Sequence, residues 1–218
     1  MQVVILCGGQ GTRLQEETQF RPKALVEIGE SPILWHVMKI FTSYGFNEFI
    51  LCLGYKGEMI KRYFVDYDVM RKDLRITTGP MKSVAVLGDQ EQENWTVTCV
   101  DTGADTPTGG RIHHIKQLIP EDDDAFMLTY CDSLGNIDIR HLVDFHHKAG
   151  RIATVTGVRP PSRFGELQMD GDIATSFTKG APVKAGWIDG GFFVFEPGIF
   201  NYLSDDETVL EQSPLEPL

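Results

Sequence analysis

The chain of 218 residues lacks an excess of basic residues, and this absence limits what it can bind. It has 20 Lys and Arg against 31 Asp and Glu, a net charge of −11. A protein that reads nucleic acid through a basic surface needs clustered cations, so that class is excluded. A nucleotide-binding enzyme is not excluded, because a few well-placed cations and backbone N–H groups are enough to hold phosphates.

Paired cysteines and long apolar runs are also missing. The four cysteines, Cys7, Cys52, Cys99 and Cys131, form no CxxC pair, which argues against a disulfide framework or a zinc site. Each lies in or beside an apolar run, which favours buried, reduced thiols. The chain opens directly into an apolar strand pattern without a basic leader, and no run approaches the roughly 18 apolar residues of a membrane span. We therefore expect a cytoplasmic protein without membrane contact.

Over residues 1–160, short apolar runs alternate with segments of helical periodicity. Strands are predicted at Val3–Leu6, Glu48–Leu53, Val84–Leu87, Trp95–Val100, Ala125–Tyr130 and Ile152–Val158. Helices are predicted at Pro32–Tyr44, Gly57–Phe64, Arg111–Leu118 and His141–Ala149. This alternation predicts an α/β fold: a Rossmann-like, mainly parallel sheet flanked by helices.

After Pro160 the pattern changes to short strands and turns. The strands are predicted at Leu167–Met169, Ile173–Phe177 and Gly191–Phe195, as a second layer packed beside the main sheet. The final residues, ETVLEQSPLEPL, have the pattern of a helix that has just begun. We expect one domain over 1–218, with no internal repeat.

A glycine loop follows the first predicted strand: Leu6-Cys7-Gly8-Gly9-Gln10-Gly11-Thr12-Arg13-Leu14. Glycines at a strand end allow a tight turn whose N–H groups approach an anion. The loop is not a P-loop, because no Lys-Ser/Thr follows the glycines. It is not a dinucleotide fingerprint either, because Leu14 stands where the third glycine belongs. Taken alone, the loop is equally consistent with a plain turn.

Further segments follow the loop in a recognisable order: RPKALVEIG at Arg21–Gly29, then SPILWHVMKI, GYKGEMIKRYF, VDTG, TGGRI, TYCD, RFG and IDGGFF. Together they resemble the sugar-phosphate nucleotidyltransferases. The segments PILWHVMKI, DTG and TGGR are most similar to the branch that uses CTP and glucose 1-phosphate. The resemblance implies a reaction of a nucleoside triphosphate with a sugar 1-phosphate, giving a nucleotide sugar and pyrophosphate. It also implies a homo-oligomer and the cofactor Mg²⁺.

The resemblance assigns catalytic roles to three residues. Arg13 would clamp the departing phosphates, Lys23 would lie over the triphosphate, and Asp132 would hold Mg²⁺ between both substrates. The implied nucleotide contacts are Leu6, Gly8, Gly9, Gly11, Thr12, Arg13, Lys23, Thr106, Gly110, Arg111 and Cys131. The TGGR segment would read the base edge, with CTP favoured over UTP or dTTP.

The sugar-phosphate half, implied at about 161–218, departs from the family pattern. Its expected contacts are Gly165, Glu166, Lys179, Asp189 and Gly190. Gly-Asp-Gly is replaced by Cys131-Asp132-Ser133, and Asn-Gly-Gly by Asp189-Gly190-Gly191. Glu-Lys-Pro is replaced by Thr178-Lys179-Gly180, so Lys179 fits only with a register shift, and Lys184 is a second candidate.

The chain also ends near the start of the segment in which relatives carry a second metal-binding aspartate. Either that segment is missing from this sequence or one metal ligand has been lost. Two alternatives therefore stay open beside the main hypothesis: the same reaction on a different phosphorylated acceptor, and a non-catalytic nucleotide-binding homologue.

Overall fold

The structure is a computed structural model that describes residues 1–11, 15–88, 93–120, 123–159, 165–179, 186–212 and 215. For residues 15, 165–169 and 177–179 it describes the backbone alone.

The described residues form a mixed α/β structure. Its strands are β1 (Val3–Cys7), β2 (Glu27–Ile28), β3 (Ser31–Pro32), β4 (Glu48–Leu53), β5 (Asp73–Thr77), β6 (Ser83–Leu87), β7 (Thr96–Asp101), β8 (Phe126–Tyr130), β9 (Ala153–Val158), β10 (Gly165–Asp170), β11 (Ile173–Lys179) and β12 (Ile188–Phe195). Its α-helices are α1 (Gln15–Thr18), α2 (Ile33–Thr42), α3 (Gly57–Val65), α4 (Tyr67–Arg71), α5 (Thr108–His114) and α6 (Ile139–Ala149). Short 3-10 helices lie at Lys23–Leu25, Lys116–Leu118 and Pro197–Asn201.

A six-stranded sheet in the order β7-β4-β1-β8-β12-β9 forms the centre of the fold. Strands β7, β4, β1 and β8 are parallel, and β12 runs antiparallel to both of its neighbours. In the middle of the sheet, Val3 is in register with Phe49 of β4 and Met127 of β8. The predicted α/β fold with a mainly parallel sheet is confirmed.

The central strands read as continuous apolar runs because both faces of the sheet are covered. All five residues of β1 are buried. On one face, α2 presents Leu34, Val37, Met38 and Phe41, whose spacing places them on a single helical stripe. The Phe41 ring lies 5.9 Å from the ring of Phe192 on β12. Helix α2, from the first half of the chain, thus packs against β12, the last of the strands in sequence order.

The opposite face has its own apolar core. It consists of buried residues from the sheet, from α5 and from the chain after β12, including Leu6, Ile112, Phe126, Phe193, Phe195, Ile199, Leu203 and Leu210. Residues beyond 190 therefore supply much of the core on this face of the main sheet.

Three predictions about the second half are wrong. Strand β12 does not belong to a second layer but pairs between β8 and β9 in the main sheet, because Phe192–Phe195 are buried on both faces. Of the three strands predicted for that layer, β10 and β11 do lie outside the main sheet and pair with each other, as β2 does with β3 and β5 with β6. The chain from 207 to 212 forms turns rather than the start of a helix. Helix α5 begins at Thr108, directly after Pro107, and is not continuous with the 3-10 turn at Lys116–Leu118.

The cysteines agree with their prediction. All four are free thiols, buried at Cys7, Cys52 and Cys131 and half-buried at Cys99. Across the residues that the structure describes, none of the helices has the length and hydrophobicity to cross a membrane.

Replacing Phe41 with alanine tests the contact between α2 and β12. Phe41→Ala leaves a cavity between helix and sheet and should lower the free energy of unfolding by about 3–5 kcal/mol. The matched control is Phe145→Ala on α6, where the ring is exposed and the change should stay within about 0.5 kcal/mol. Urea denaturation measures both. Equal losses for the two variants would contradict this packing scheme.

Candidate active site

A cavity of about 250 Å³ opens at the carboxyl edge of the parallel strands, beyond the ends of β1 and β8. Open α/β sheets bind their ligands at this edge. The cavity is lined by Leu6, Gly8, Gly9, Gly11, Lys23, Thr106, Pro107, Thr108, Arg111, Tyr130, Cys131 and Asp132.

Most of the nucleotide-binding and catalytic residues predicted from the sequence meet in this cavity. Thr12 and Arg13 lie outside the described residues, as does Lys184. Gly110 is not among the described residues that line the cavity. It packs against the chain that follows β12, and its amide donates to Thr208 O at 3.0 Å.

Three lining residues were missing from the predicted set: Pro107, Thr108 and Tyr130. A signal existed for two of them, since Thr108 opens the TGGR segment and Tyr130 directly precedes Cys131-Asp132. Alternation along β8 places Tyr130 and Cys131 on opposite faces of the sheet, yet both reach the cavity because it opens at the strand end.

Lys23 and Asp132 form an ion pair at the cavity. Lys23 is the first residue of a 3-10 turn that follows Pro22 and is anchored by the buried Ala24. Asp132 lies two residues beyond β8, where Cys131 N donates to Leu6 O at 3.2 Å. The Lys23 Nζ contacts Asp132 Oδ2, and both side chains remain about one-third exposed. A cation and a carboxylate are therefore both accessible at one point of the cavity wall.

Arg111 lies beneath the glycine loop and is only 4% exposed. Its two terminal nitrogens donate to acceptors at the ends of three adjacent strands: Leu53 O (3.1 Å), Thr102 Oγ1 (2.8 Å), Gly103 O (2.7 Å), Gly8 O (3.2 Å) and Ala104 O (3.2 Å). Burial lowers the pKa of Arg111, but a guanidinium keeps its charge in proteins. The guanidinium donors of Arg111 thus face acceptors of the protein itself. The expectation that Arg111 reads the base edge of the nucleotide stays a prediction.

Arg111 also explains why residue 8 is a glycine. A Cβ on Gly8 would lie 1.9 Å from Arg111 Nη1, whereas a Cβ on Gly9 would meet no atom within 4 Å. The guanidinium cannot easily move aside because its hydrogen bonds fix it in place. The first glycine of the loop therefore permits close packing, and the second leaves open space above the loop.

Part of the predicted sugar-phosphate half lies beside this cavity. Asp189 and Gly190 are on β12, and Gly191 O accepts a hydrogen bond of 2.7 Å from Thr129 Oγ1 on β8. Asp189 Oδ1 accepts from Gly191 N at 2.7 Å. In the β10–β11 hairpin, Gly165 is in register with Lys179 and Glu166 with Thr178. The pairing thus places the backbones of Gly165, Glu166 and Lys179, which are predicted sugar-phosphate contacts, at one end of the hairpin.

Asp189 lies in an unfavourable electrostatic environment. Partial desolvation raises its pKa, the Gly191 amide lowers it, and the nearby carboxylate of Glu211 raises it. The pKa of Tyr130 is also raised, first by burial and then by its hydrogen bond to Glu211. The Tyr130 phenol is thus a neutral hydrogen-bond donor between carboxylates.

Cys7, at the end of β1, does not fit the role of a thiol nucleophile. Burial, followed by contact with Cys131, raises the pKa of Cys7 well above its ordinary value, so its thiolate form is suppressed. The arrangement instead suits the binding of a polyanion: a glycine turn, a buried guanidinium behind it, and an accessible lysine with an aspartate.

Comparison with known proteins identifies the family. The sequence profile described as nucleotidyl transferase matches residues 2–216. The chain belongs to the nucleotidyl transferase family. The resemblance inferred from the ordered segments is therefore confirmed.

Curated relatives in the family extend over the whole chain. A probable glucose-1-phosphate cytidylyltransferase of Bacillus subtilis is 47% identical over 219 aligned residues, covering 100% of this chain and 84% of the relative. A glucose-1-phosphate cytidylyltransferase of Salmonella typhi is 42% identical, covering 99% of this chain and 82% of the relative. Mannose-1-phosphate guanylyltransferase subunits are more distant, such as that of Xenopus tropicalis at 26% identity.

Solved structures support the fold. HddC from Yersinia pseudotuberculosis superposes with a TM-score of 0.66 at 23% identity, covering 100% of this chain and 86% of that protein. A glucose-1-phosphate thymidylyltransferase assigned in Bacillus anthracis superposes with a TM-score of 0.61 at 17% identity, covering 100% and 79%. Both share the sheet architecture described above.

Alanine at positions 8 and 9 tests the packing of the glycine loop on Arg111. Gly8→Ala forces a methyl group into the guanidinium and should destabilise the protein by about 1–3 kcal/mol. Gly9→Ala faces open space and should leave the free energy of unfolding within about 0.5 kcal/mol of wild type. Urea denaturation of the two variants measures the difference. If Gly8→Ala is as stable as Gly9→Ala, the guanidinium does not occupy the position described.

Asp189→Asn tests the electrostatics beside Tyr130. The pKa of the Asp189 carboxyl is higher in the folded state than in the unfolded state. Such a group contributes its full stabilisation below the unfolded-state pKa, and this contribution is lost as pH rises through the folded-state pKa. The variant keeps an acceptor for Gly191 N and removes the charge. It should therefore melt about 1–2 °C higher than wild type near pH 8, with a difference that shrinks towards acidic pH.

Thermal denaturation across pH measures this difference. Asp144→Asn, at an exposed carboxylate on α6, controls for the loss of one surface charge. A melting temperature for Asp189→Asn at or below that of wild type at pH 8 would contradict the description.

Proposed function

We propose that the protein is a glucose-1-phosphate cytidylyltransferase, which joins CTP to glucose 1-phosphate and releases pyrophosphate. The observation that carries the proposal is the cavity in which the glycine loop, Lys23 and Asp132 meet at the carboxyl edge of the sheet. Relatives named for this activity, at 42–47% identity over nearly the whole chain, supply the choice of substrates.

The chemistry needs positioning and charge neutralisation rather than a general base. An oxygen of the sugar phosphate, already ionised near neutral pH, forms a bond to the α-phosphorus of CTP. The bond from that phosphorus to the bridging oxygen breaks, and pyrophosphate leaves with the electron pair. Two polyanions must therefore be brought together and held in line.

The residues around the cavity suit that task. Backbone amides of the glycine loop are available to phosphate oxygens, and Lys23 carries a mobile ammonium beside them. Behind the loop, Arg111 adds a buried positive charge. Arg13, by the family resemblance, would add a bidentate clamp on the departing phosphates.

The donor set at Asp132 fits Mg²⁺. This ion prefers oxygen ligands and is usually held by one or two carboxylates together with substrate phosphates. Among the described residues there is no group of three or more His, Cys, Asp or Glu side chains arranged to hold a metal by themselves. Asp132, accessible beside the phosphate region, would hold Mg²⁺, which when bound neutralises charge on the phosphates. Lys23 would then exchange its carboxylate partner for a phosphate.

The acceptor is the less constrained part of the proposal. Asp189 stands where the family pattern has an asparagine, and a carboxylate only accepts hydrogen bonds. It favours an acceptor that offers hydroxyl groups at this point, as a hexose does. Lys179, Glu166 and Gly165 remain proposed contacts of the sugar phosphate.

We also propose a homo-oligomer. Helix α4 and the β5–β6 hairpin expose several large apolar side chains: Met70, Ile76, Met81, Val84 and Val86. An apolar surface of this kind is consistent with subunit contact.

Pyrophosphate release tests the proposal directly. We expect turnover with CTP and glucose 1-phosphate in the presence of Mg²⁺, and much less with UTP, dTTP or GTP. Asp132→Asn should lower kcat by about 100-fold or more, because it removes the proposed metal ligand. Lys23→Met should raise the KM for CTP. The matched controls, Asp144→Asn and Lys148→Met on the exposed face of α6, should retain wild-type rates.

Each other outcome has a distinct meaning. Turnover with CTP only on another sugar phosphate would replace the acceptor and keep the reaction. Binding of CTP by calorimetry without pyrophosphate release would identify a non-catalytic homologue. Wild-type rates in Asp132→Asn would remove that residue from the mechanism.

A further inference from the structure

The chain after β12 packs along α5, the helix whose first turn lines the cavity. We call residues 203–212 the C-terminal strap. Its residues Leu203 and Leu210 are buried in the core of that face. Two polar contacts fix it along the helix: Gly110 N donates to Thr208 O at 3.0 Å, and His114 Nε2 lies 2.6 Å from Asp206 Oδ1. The strap is therefore a fixed neighbour of the cavity.

Glu211 on this strap joins two parts of the cavity wall that come from different elements. Its Oε1 accepts a hydrogen bond from the Tyr130 phenol at 2.5 Å, and its Oε2 accepts one from the Thr108 hydroxyl at 2.7 Å. Thr108 is the first residue of α5, and Tyr130 is the last residue of β8. Both line the cavity, whereas Glu211 is not among its described lining residues. One carboxylate thus connects two lining residues that are 22 positions apart in the sequence.

The geometry leaves neither hydroxyl free to rotate. The Thr108 oxygen also accepts a hydrogen bond of 3.0 Å from Leu210 N, so its proton must point to Glu211. The Tyr130 ring packs edge-on against Phe193, with centroids 6.0 Å apart. Hydrogen bonds from hydroxyls to a carboxylate are short and stronger than neutral ones. The Glu211 carboxylate, which we call the bridge, therefore holds the hydroxyls of Thr108 and Tyr130 at a defined distance from each other.

The bridge lies between the two proposed halves of the site. Tyr130 is two residues before Asp132, and its phenol lies near enough to the Asp189 carboxylate for that charge to raise its pKa. Thr108 lies on the side of the cavity formed by Thr106, Pro107 and Arg111. A change in the distance between Thr108 and Tyr130 would alter the width of the cavity between these sides.

We infer that Glu211 is a positioning residue for the nucleotide: by bridging Thr108 and Tyr130 it fixes the width of the cavity in which CTP binds. The inference rests on the proposed function, since it takes CTP as the ligand. It does not require Glu211 to touch CTP. It requires that cavity width, and hence nucleotide affinity, depend on the bridge.

A purely structural role would have a different signature. Loss of a tether on an exposed strap would lower stability without changing nucleotide affinity. A positioning role would weaken nucleotide binding with little change in the melting temperature, because Leu203 and Leu210 still anchor the strap.

Substitution of Glu211 separates these roles. Glu211→Ala should raise both the Kd of CTP, measured by calorimetry, and the KM for CTP about tenfold, the loss expected for a charged hydrogen-bond bridge. Glu211→Gln should recover much of this affinity, because its amide can still accept from one hydroxyl and donate to the other. The melting temperature should fall by no more than about 2 °C in either variant. Glu207→Ala, exposed on the same strap, is the matched control and should bind CTP as wild type does.

A double-mutant cycle checks that the effect passes through Tyr130. Tyr130→Phe removes only the phenol oxygen and should weaken CTP binding in wild type. In the Glu211→Ala background the same change should have little further effect, because the bridge is already broken. Additive losses would overturn the bridge as the cause.

The outcomes distinguish this inference from the proposed function. A Kd for CTP within twofold of wild type in Glu211→Ala would overturn the positioning role, while turnover by the wild type would still support the activity. If the wild type bound CTP but released no pyrophosphate with any acceptor, the activity would fail, and the Kd of Glu211→Ala would still decide the role of Glu211. If the wild type did not bind CTP, both would be wrong.

Discussion

The carboxyl edge of a parallel sheet ends in carbonyl groups that need donors, and in this protein a buried cation supplies several of them. Arg111 satisfies acceptors from the chain following β1, β4 and β7 while remaining only 4% exposed. Leu53 O and Gly8 O also accept from the amides of Thr102 and Tyr55, so the guanidinium adds donors to these caps and joins the ends of three strands. It also fixes how closely the glycine loop approaches the sheet, because Gly8 rests directly on it. The position of the glycine loop at the cavity therefore depends on this one side chain.

That arrangement explains how an acidic protein can present a site for polyanions. The net charge of −11 is spread over the surface, whereas the cavity combines a buried guanidinium with the accessible ammonium of Lys23. The Lys23–Asp132 pair keeps both charges compensated when no substrate is present. In the proposed reaction each partner finds a replacement, a phosphate for the lysine and a metal for the aspartate, so substrate binding does not leave either charge unpaired.

The parts of the fold that the sequence predicted are those set by local pattern. Strands β1, β4 and β8 are continuous apolar runs because both of their faces are covered, and the residues just after β1 and β8 then had to meet at one edge. Strand β12 has equally apolar residues, but its antiparallel place between β8 and β9 is decided by long-range pairing that no local pattern encodes. The same limit applies to the site. Asp132 stands just beyond a predictable strand end, and the family resemblance pointed to Lys23, whereas Glu211 and the acceptors of Arg111 are defined only by tertiary contacts.

The departures from the family pattern on the acceptor side are neighbours in space. Gly191 has a φ of +78°, and a Cβ there would lie 2.2 Å from Ser133 Oγ. The serine that follows Asp132 and the glycine turn that follows Asp189 therefore share one small volume and constrain each other. Tyr130 lies in the same place, between the carboxylates of Glu211 and Asp189, so its neutral phenol separates two negative charges. The changed segments Cys131-Asp132-Ser133 and Asp189-Gly190-Gly191 thus lie next to each other in the fold.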